Sequence, residues 1–260
     1  MSENLLSSLN ESQKIAAQHI DGPLLILAGA GSGKTKTITT RLAFLISIGI
    51  DPRSILTLTF TNKAASEMRE RAFSMLDSSM INTPPLLCTF HKFGLLFLKF
   101  HMSELNRKNN FIIIDTDDKK RIIKSIDKDI TTSLLVSEIS RYKNSLLTPS
   151  EAKAAAQLKL YQQIAEVYEK YEEYIEKNNL VDFDDLLLLP YKILKNNQKL
   201  ADEISQKYQY IMVDEYQDTN ELQYRLLRLL CTSHNNLCVV GDDDQSIYGW
   251  RGATIKNILN

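Results

Sequence analysis

Pro23–Leu24–Leu25–Ile26–Leu27–Ala28–Gly29–Ala30–Gly31–Ser32–Gly33–Lys34–Thr35 decides how this chain is read. A short apolar run of strand type empties into a glycine-rich turn. It closes on Gly33–Lys34–Thr35 and continues into an amphipathic stretch from Lys36 to Ile48. That order is strand, phosphate loop, helix. Glycines at 29, 31 and 33 let the backbone turn tightly and aim successive N–H groups into one concavity, with no Cβ between them and an anion. The helix N-terminus behind the loop adds partial positive charge. The stretch Ala28–Thr35 is therefore a nucleotide-binding candidate, in which Lys34 reaches the outer phosphates and the Thr35 hydroxyl ligates Mg²⁺. Alanine at 28 replaces the first glycine of the usual spacing, a mild departure at a strand end that needs only a small residue.

Composition excludes several classes. The chain has 260 residues, 43% hydrophobic and 24% charged, as expected of a globular protein with ample material for a core. Its net charge of −1 advertises no global basic field, so any nucleic-acid site must be local. Met1–Ser2–Glu3–Asn4 has no basic, apolar leader pattern, and no apolar run is long enough to span a bilayer. The expected compartment is the cytoplasm, with no membrane partner. Cys88, Cys231 and Cys238 make an odd count, which argues against a disulfide framework. Cys231, His234 and Cys238 raise zinc as an idea, but three clustered ligands are too few for a closed structural site and Cys238 lies in an apolar run; buried reduced thiols are the simpler reading.

Taken in order, Ser7–Ile20 reads as a helix and Asp21–Gly22–Pro23 as its punctuation. After the phosphate loop, Ile38, Leu42, Leu45 and Ile46 form a helical stripe, with Gly49 as a C-terminal cap. Ser54–Phe60 reads as a strand, Lys63–Leu76 as a helix, Leu86–Phe90 as a strand and His91–Phe100 as a helix. Repeated alternation argues for parallel βαβ units. It stops at about His101, and the chain to Gln206 is mostly helical. Thr148–Pro149–Ser150–Glu151 opens a helix expected to run to Lys177, with Leu160, Ile164, Val167, Tyr171 and Ile175 as one seam. Tyrosines at 161, 168, 171 and 174 suggest either helix packing or base stacking; packing is the cheaper explanation. Asp182 caps the next helix. Strands return at Tyr208–Val213 and Leu237–Val240, separated by a helix carrying Leu222, Leu226, Leu227 and Leu230. The expected architecture is an α/β parallel sheet with helices on both faces, built from 1–100 and 207–260 and interrupted by a helical insertion over 101–206.

Two further strand ends carry chemistry. Ile211–Met212–Val213–Asp214–Glu215 delivers two acids at the edge that faces phosphates in such a sheet. Asp214 suits the metal and Glu215 suits a general base for the attacking water. Val239–Val240–Gly241–Asp242–Asp243–Asp244–Gln245 points at the same edge, where Gln245 can hydrogen-bond the γ-phosphate or the water.

The motifs occur together in an order that resembles superfamily 1 DNA helicases of the UvrD/Rep/PcrA branch. They are Leu9–Asn10–Glu11–Ser12–Gln13, Ala28–Thr35, Thr59–Phe60–Thr61–Asn62–Lys63–Ala64–Ala65–Ser66–Glu67–Met68–Arg69, Thr89–Phe90–His91, Val213–Asp214–Glu215–Tyr216–Gln217–Asp218–Thr219–Asn220 and Gly241–Asp242–Asp243–Asp244–Gln245–Ser246–Ile247–Tyr248–Gly249–Trp250–Arg251–Gly252–Ala253. Val181–Asp182–Phe183–Asp184–Asp185–Leu186 matches the end of that family's helical insertion. The resemblance implies a RecA-like P-loop NTPase lobe that uses ATP and Mg²⁺ and translocates 3′ to 5′ on single-stranded DNA, acting at duplex junctions in repair or replication. It implies that Gln13 reads the adenine edge, Arg69 approaches the phosphates, and Gln245 couples the γ-phosphate to DNA. Phe60, Asn62, His91, Tyr248, Trp250 and Arg251 would line the DNA path, where aromatic faces stack on any base for about 1–3 kcal/mol each. Lys36 stands where the family commonly has a nucleotide-binding arginine, keeping the charge without the planar fork. Lys92 stands where serine is usual.

The family has a second RecA-like lobe whose arginines complete the ATP site, and those arginines contribute about 10³–10⁵ in rate. The chain is thus expected to be the N-terminal half of a helicase, monomeric and poorly active alone. The motor of a recombination helicase–nuclease and a non-catalytic nucleotide- or DNA-binding module are the alternatives.

Overall fold

The computed structural model describes residues 5–29, 31, 33–76 and 83–242. Among the described residues, seven strands are numbered in chain order: β1 Leu24–Leu27, β2 Ile55–Thr59, β3 Leu86–Thr89, β4 Ile112–Ile113, β5 Leu180–Val181, β6 Tyr210–Val213 and β7 Leu237–Gly241. The described helices of eight or more residues, with one shorter, are α1 Glu11–Gln18, α2 Lys34–Ser47, α3 Asn62–Ser74, α4 Phe90–His101, α5 Thr116–Ile126, α6 Thr132–Asn144, α7 Pro149–Ala155, α8 Lys159–Lys177, α9 Asp185–Asn196, α10 Gln198–Lys207 and α11 Glu221–Leu230. The chain divides into two compact units, residues 1–90, 198–219 and 228–260 in one and 91–197 with 220–227 in the other.

The first unit is built on a five-stranded, wholly parallel sheet of order β1-β7-β6-β2-β3. Strands β2, β6 and β7 are buried at every residue, as a parallel sheet covered on both faces requires. Ile38, Leu42 and Leu45 of α2 join Met68 and Ala72 of α3 against Ile55, Leu87, Met212 and Val240. The sequence pattern gives α2 one apolar stripe, yet every residue from Thr37 to Ile46 is buried. Two neighbours explain it: α2 packs on α1 as well as on α3. Arg41 is buried there and donates to the carbonyls of Ala16 and His19, which α1 leaves unpaired at its C-terminal end. Gly49 sits at φ +97°, its N–H bonded to the Ile46 carbonyl and that of Ile50 to the Leu45 carbonyl, so the predicted cap is a Schellman motif.

Helix α1 begins at Glu11, later than Ser7, because Asn10 caps it. The Asn10 side chain accepts from the Gln13 N–H at 2.9 Å, and the Gln13 side chain accepts from the Asn10 N–H at 3.0 Å.

The second unit packs α5, α6, α7 and α8 around Ile123, Ile139, Ile164, Tyr168 and Tyr171, beside a two-stranded parallel sheet of β4 and β5. The single helix expected from Thr148 to Lys177 is two helices, broken at residues 156–158. Lys153 and Glu166 lie 13 positions apart, about 20 Å along one continuous helix, yet their side chains pair at 3.0 Å. The chain therefore folds back, burying Ala152 in the core of the unit. Tyr168 and Tyr171 are core residues, whereas Tyr174 and Leu160 are exposed, so the seam starts at Ile164.

Helix α9 begins at Asp185 with Asp184 at its N-cap, so Asp182 is not the cap residue but forms a reciprocal pair with Asp185. Asp182 accepts from the Asp185 N–H at 2.9 Å, and Asp185 accepts from the Asp182 N–H at 3.1 Å. Both carboxylates are buried and share the fully buried Lys143 ammonium at 3.0 and 2.9 Å. Burial pushes the Asp182 carboxyl up, but Lys143 and Lys119 beside it outweigh that and hold it below the usual range. Such a cluster is tolerable only when every charge is paired.

Helix α9 contains Pro190, which has no N–H to donate to the Leu186 carbonyl one turn earlier. Gly94 of α4 fills that gap with backbone: a Cβ there would lie 1.7 Å from the Leu186 oxygen. Gly94→Ala is therefore expected to destabilise the protein by at least about 2–3 kcal/mol, the upper range for overpacking. Urea denaturation measures it, and a loss under about 0.5 kcal/mol would show that the helices are not in this contact.

Candidate active site

Because β7 lies between β1 and β6, three strand ends meet at one edge of the first unit. Leu27 pairs with Gly241, and Val213 pairs with Val239. The loop after β1 turns through Gly31 at φ +77° and Gly33 at φ +87°, and Gly33 forms the N-terminal cap of α2. A Cβ at Gly33 would sit 3.0 Å from the Gln13 side-chain nitrogen, a close contact, but it is the φ of +87° that calls for glycine there. A cavity of about 310 Å³ opens here between Asn10, Gln13, Ala28, Lys34, Thr37 and the edge strand β1. Ala30 and Ser32 lie outside the described residues, as do Gln245, Tyr248, Trp250 and Arg251.

Lys34, in the first turn of α2, forms an ion pair with the Asp242 carboxylate just beyond β7. The Asp242 N–H donates to the Gln217 side-chain oxygen at 3.2 Å. The Gln217 side-chain nitrogen donates in turn to a Glu215 carboxylate oxygen. Glu215 itself adopts the left-handed conformation at φ +52°, a placement that costs on the order of 1–3 kcal/mol for a residue with a Cβ. Asp214 is buried, its N–H bonded to the Leu58 carbonyl at 3.1 Å and its carboxylate accepting from the Glu215 N–H at 2.9 Å. Burial first, and the Glu215 charge second, push the Asp214 carboxyl above its ordinary range. A buried acid beside a second acid favours a cation. The Thr35 hydroxyl and the Asp214 carboxylate are hard oxygen donors, suited to a small divalent ion that keeps waters and phosphate oxygens as its other ligands.

Other candidate residues have different surroundings. Lys36 donates to the Ser8 carbonyl at 2.5 Å, and Arg69 donates to the Leu87 carbonyl of β3 at 2.6 Å. The structure thus engages Arg69 at the strand farthest in the sheet from β1. The Phe60 ring is half-buried, 5.4 Å from that of Phe90, and Asn62 is exposed at the start of α3. His91 stacks on Phe183 with ring centroids 3.8 Å apart and 13° between planes. Phe183 is 60% exposed, an unusual state for a ring held in a rigid turn. Asp184 next to it accepts from Lys119, Ser140 and Asn144, and Asn144 accepts from the Asn220 side chain at 2.9 Å.

Zinc finds no support at Cys231, His234 and Cys238. One ring nitrogen of His234 bonds the Tyr208 carbonyl at 2.7 Å and the other accepts from the Asn236 N–H at 3.1 Å. Burial pushes the Cys231 and Cys238 thiols up to about 12 and about 11. No group of three or more metal-binding side chains is clustered among the described residues, and no described helix is long and apolar enough to cross a membrane.

Sequence reasoning did not assign Gln217, Asp242 or Phe183. Each stood inside a motif already quoted, but only the fold shows what their side chains touch. An aromatic residue between Asp182 and Asp184, in a turn otherwise made of acids, was the available signal for Phe183.

A parallel sheet with a phosphate loop, two acids and a third strand end at one edge defines a RecA-like nucleotide-binding lobe. The family model for the UvrD/REP helicase N-terminal domain matches residues 9–260, and the chain belongs to that family. It is 43% identical to a probable DNA helicase II homolog of Mycoplasma capricolum over 99% of this chain. It is also 43% identical to the ATP-dependent DNA helicase Rep of Buchnera aphidicola over 95% of its length. The identity is 41% over 98% of the chain to the ATP-dependent DNA helicase PcrA of Staphylococcus aureus. The chain spans 36–38% of the length of these relatives.

Burial depresses the His91 imidazole below its usual 6.5, the Asp184 charge opposing it only in part. Stability linked to His91 is then present above 6.5 and lost as pH falls through the lower folded value. An NMR titration of the ring should give a midpoint below 6.5; one at or above it would contradict the partial burial of His91.

Proposed function

We propose that this chain is the first ATP-binding lobe of an ATP-dependent 3′–5′ DNA helicase, a cytoplasmic motor that works on single-stranded DNA and duplex junctions in repair or replication. The observation that carries the reading is the convergence of Lys34, Asp214–Glu215 and Asp242 on one sheet edge, beside a cavity walled by Gln13. In this reading Lys34 exchanges the Asp242 carboxylate for the outer phosphates of ATP, while the Ala28–Thr35 backbone cradles them. Gln13 faces the adenine from the cavity wall, its carbonyl already held by Asn10. Thr35 and Asp214 hold Mg²⁺, whose charge offsets that of the phosphates. Glu215 orients and deprotonates the attacking water, and Gln245 senses the γ-phosphate.

For DNA, Phe60, Asn62 and His91 supply contacts together with Tyr248, Trp250 and Arg251. Phe183 joins them, since an exposed ring stacked on His91 offers a sequence-blind platform for a base. Lys36 and Arg69 bind carbonyl groups of the chain, partners that each exchanges for the nucleotide as Lys34 exchanges Asp242.

Two variants of the full-length protein test the reading. Lys34→Ala should weaken ATP binding at least about 10-fold. Glu215→Gln should leave ATP binding within about 3-fold and lower DNA-stimulated hydrolysis by about 10²-fold or more, the scale of a general base. Hydrolysis that survives Glu215→Gln would remove the proposed base.

A further inference from the structure

Gln217 bridges the ends of β6 and β7 at this site. It lies on the 3₁₀ turn Tyr216–Asp218 after β6 and is half-buried. Its partners fix which end of the amide faces which way. The Asp242 N–H can only donate, so it takes the amide oxygen; an ionised Glu215 carboxylate can only accept, so it takes the amide nitrogen. The Asp242 side chain is at the same time the ion-pair partner of Lys34. A continuous series therefore runs from Lys34 to the Asp242 carboxylate, from the Asp242 N–H to Gln217, and from Gln217 to Glu215.

We propose that Gln217 is a positioning residue that makes the orientation of the Glu215 carboxylate depend on whether Lys34 holds a phosphate. The proposal rests on the reading of Glu215 as the base. With no phosphate present, Lys34 holds Asp242, and the Asp242 backbone holds Gln217 and hence one Glu215 oxygen. A phosphate that takes Lys34 releases the Asp242 side chain, and the end of β7 is then free to move with its N–H. Gln217 follows that N–H and turns the carboxylate. The left-handed backbone of Glu215 suits such a device, because a strained residue is held in place by its neighbours and not by its own preference. No proton or bond changes hands at Gln217; its part is to orient.

The test uses Gln217→Met, which keeps length and removes both hydrogen bonds, in the full-length protein. Expected is a fall in kcat of about 10-fold or more with KM for ATP within about 3-fold, in protein whose folded fraction, checked by thermal melting, equals that of the wild type. A kcat within 2-fold of the wild type, while Glu215→Gln is inactive, would overturn the proposal and leave the base intact. Activity retained by Glu215→Gln would instead remove the base. A second measurement does not need hydrolysis. The side-chain amide resonance of Gln217 should shift when Mg²⁺ and ADP are added to the wild type. In Asp242→Asn it should start near the shifted position and move little. A resonance unmoved by nucleotide in the wild type, under conditions where binding is measured independently, would also overturn it.

Discussion

The insertion of β7 between β1 and β6 is the constraint on which the nucleotide edge depends. Its register, Leu24 with Cys238 through Leu27 with Gly241 on one side and Ile211 with Leu237 through Val213 with Val239 on the other, fixes three distant segments at once. Closing so long a span costs little more than closing a short one, because loop entropy grows only logarithmically with length. Burial of Leu237–Gly241, with Cys238 and Val240 inside the main core, offsets that cost. Slipping the strand by one residue would turn Cys238 and Val240 to the other face and carry Asp242 away from Lys34.

Around this edge the charged groups are satisfied by the protein itself. Lys34 has Asp242, Glu215 has Gln217, and Asp214 has the Glu215 N–H. On the proposed function, a nucleotide entering the cavity exchanges one set of partners for another, and its affinity is the difference between them. The second unit uses the same physics for rigidity. Lys143 and Lys119 neutralise Asp182 and Asp184, and the turn between β5 and α9 that they pin is the one that presents Phe183 to solvent. Removing one ion from such a cluster typically costs about 3–5 kcal/mol, which ties the exposed ring to the stability of the interior.

Much of this was legible in the sequence because it is local. The strand–loop–helix around Lys34, the acids after Val213, the Gly49 cap and the Thr148–Glu151 capping box all follow from residues within a few positions of one another. The break at residues 156–158 was not legible: Ala156, Gln157 and Leu158 carry no glycine or proline, and the reason for the break is the packing of α7 back on α8. Two-residue strands such as β4 and β5 have no periodicity to detect. The bridge through Gln217 and the pairing of Lys34 with Asp242 join residues whose proximity exists only once β7 has found its place.

The most direct test is a structure of the full-length protein with Mg²⁺ and a non-hydrolysable ATP analogue. The account predicts a phosphate oxygen on the Lys34 ammonium in place of Asp242, the ion held by Thr35 and Asp214, and the base in the cavity beside Gln13. A nucleotide bound elsewhere, or Lys34 still paired with Asp242 beneath it, would contradict the account.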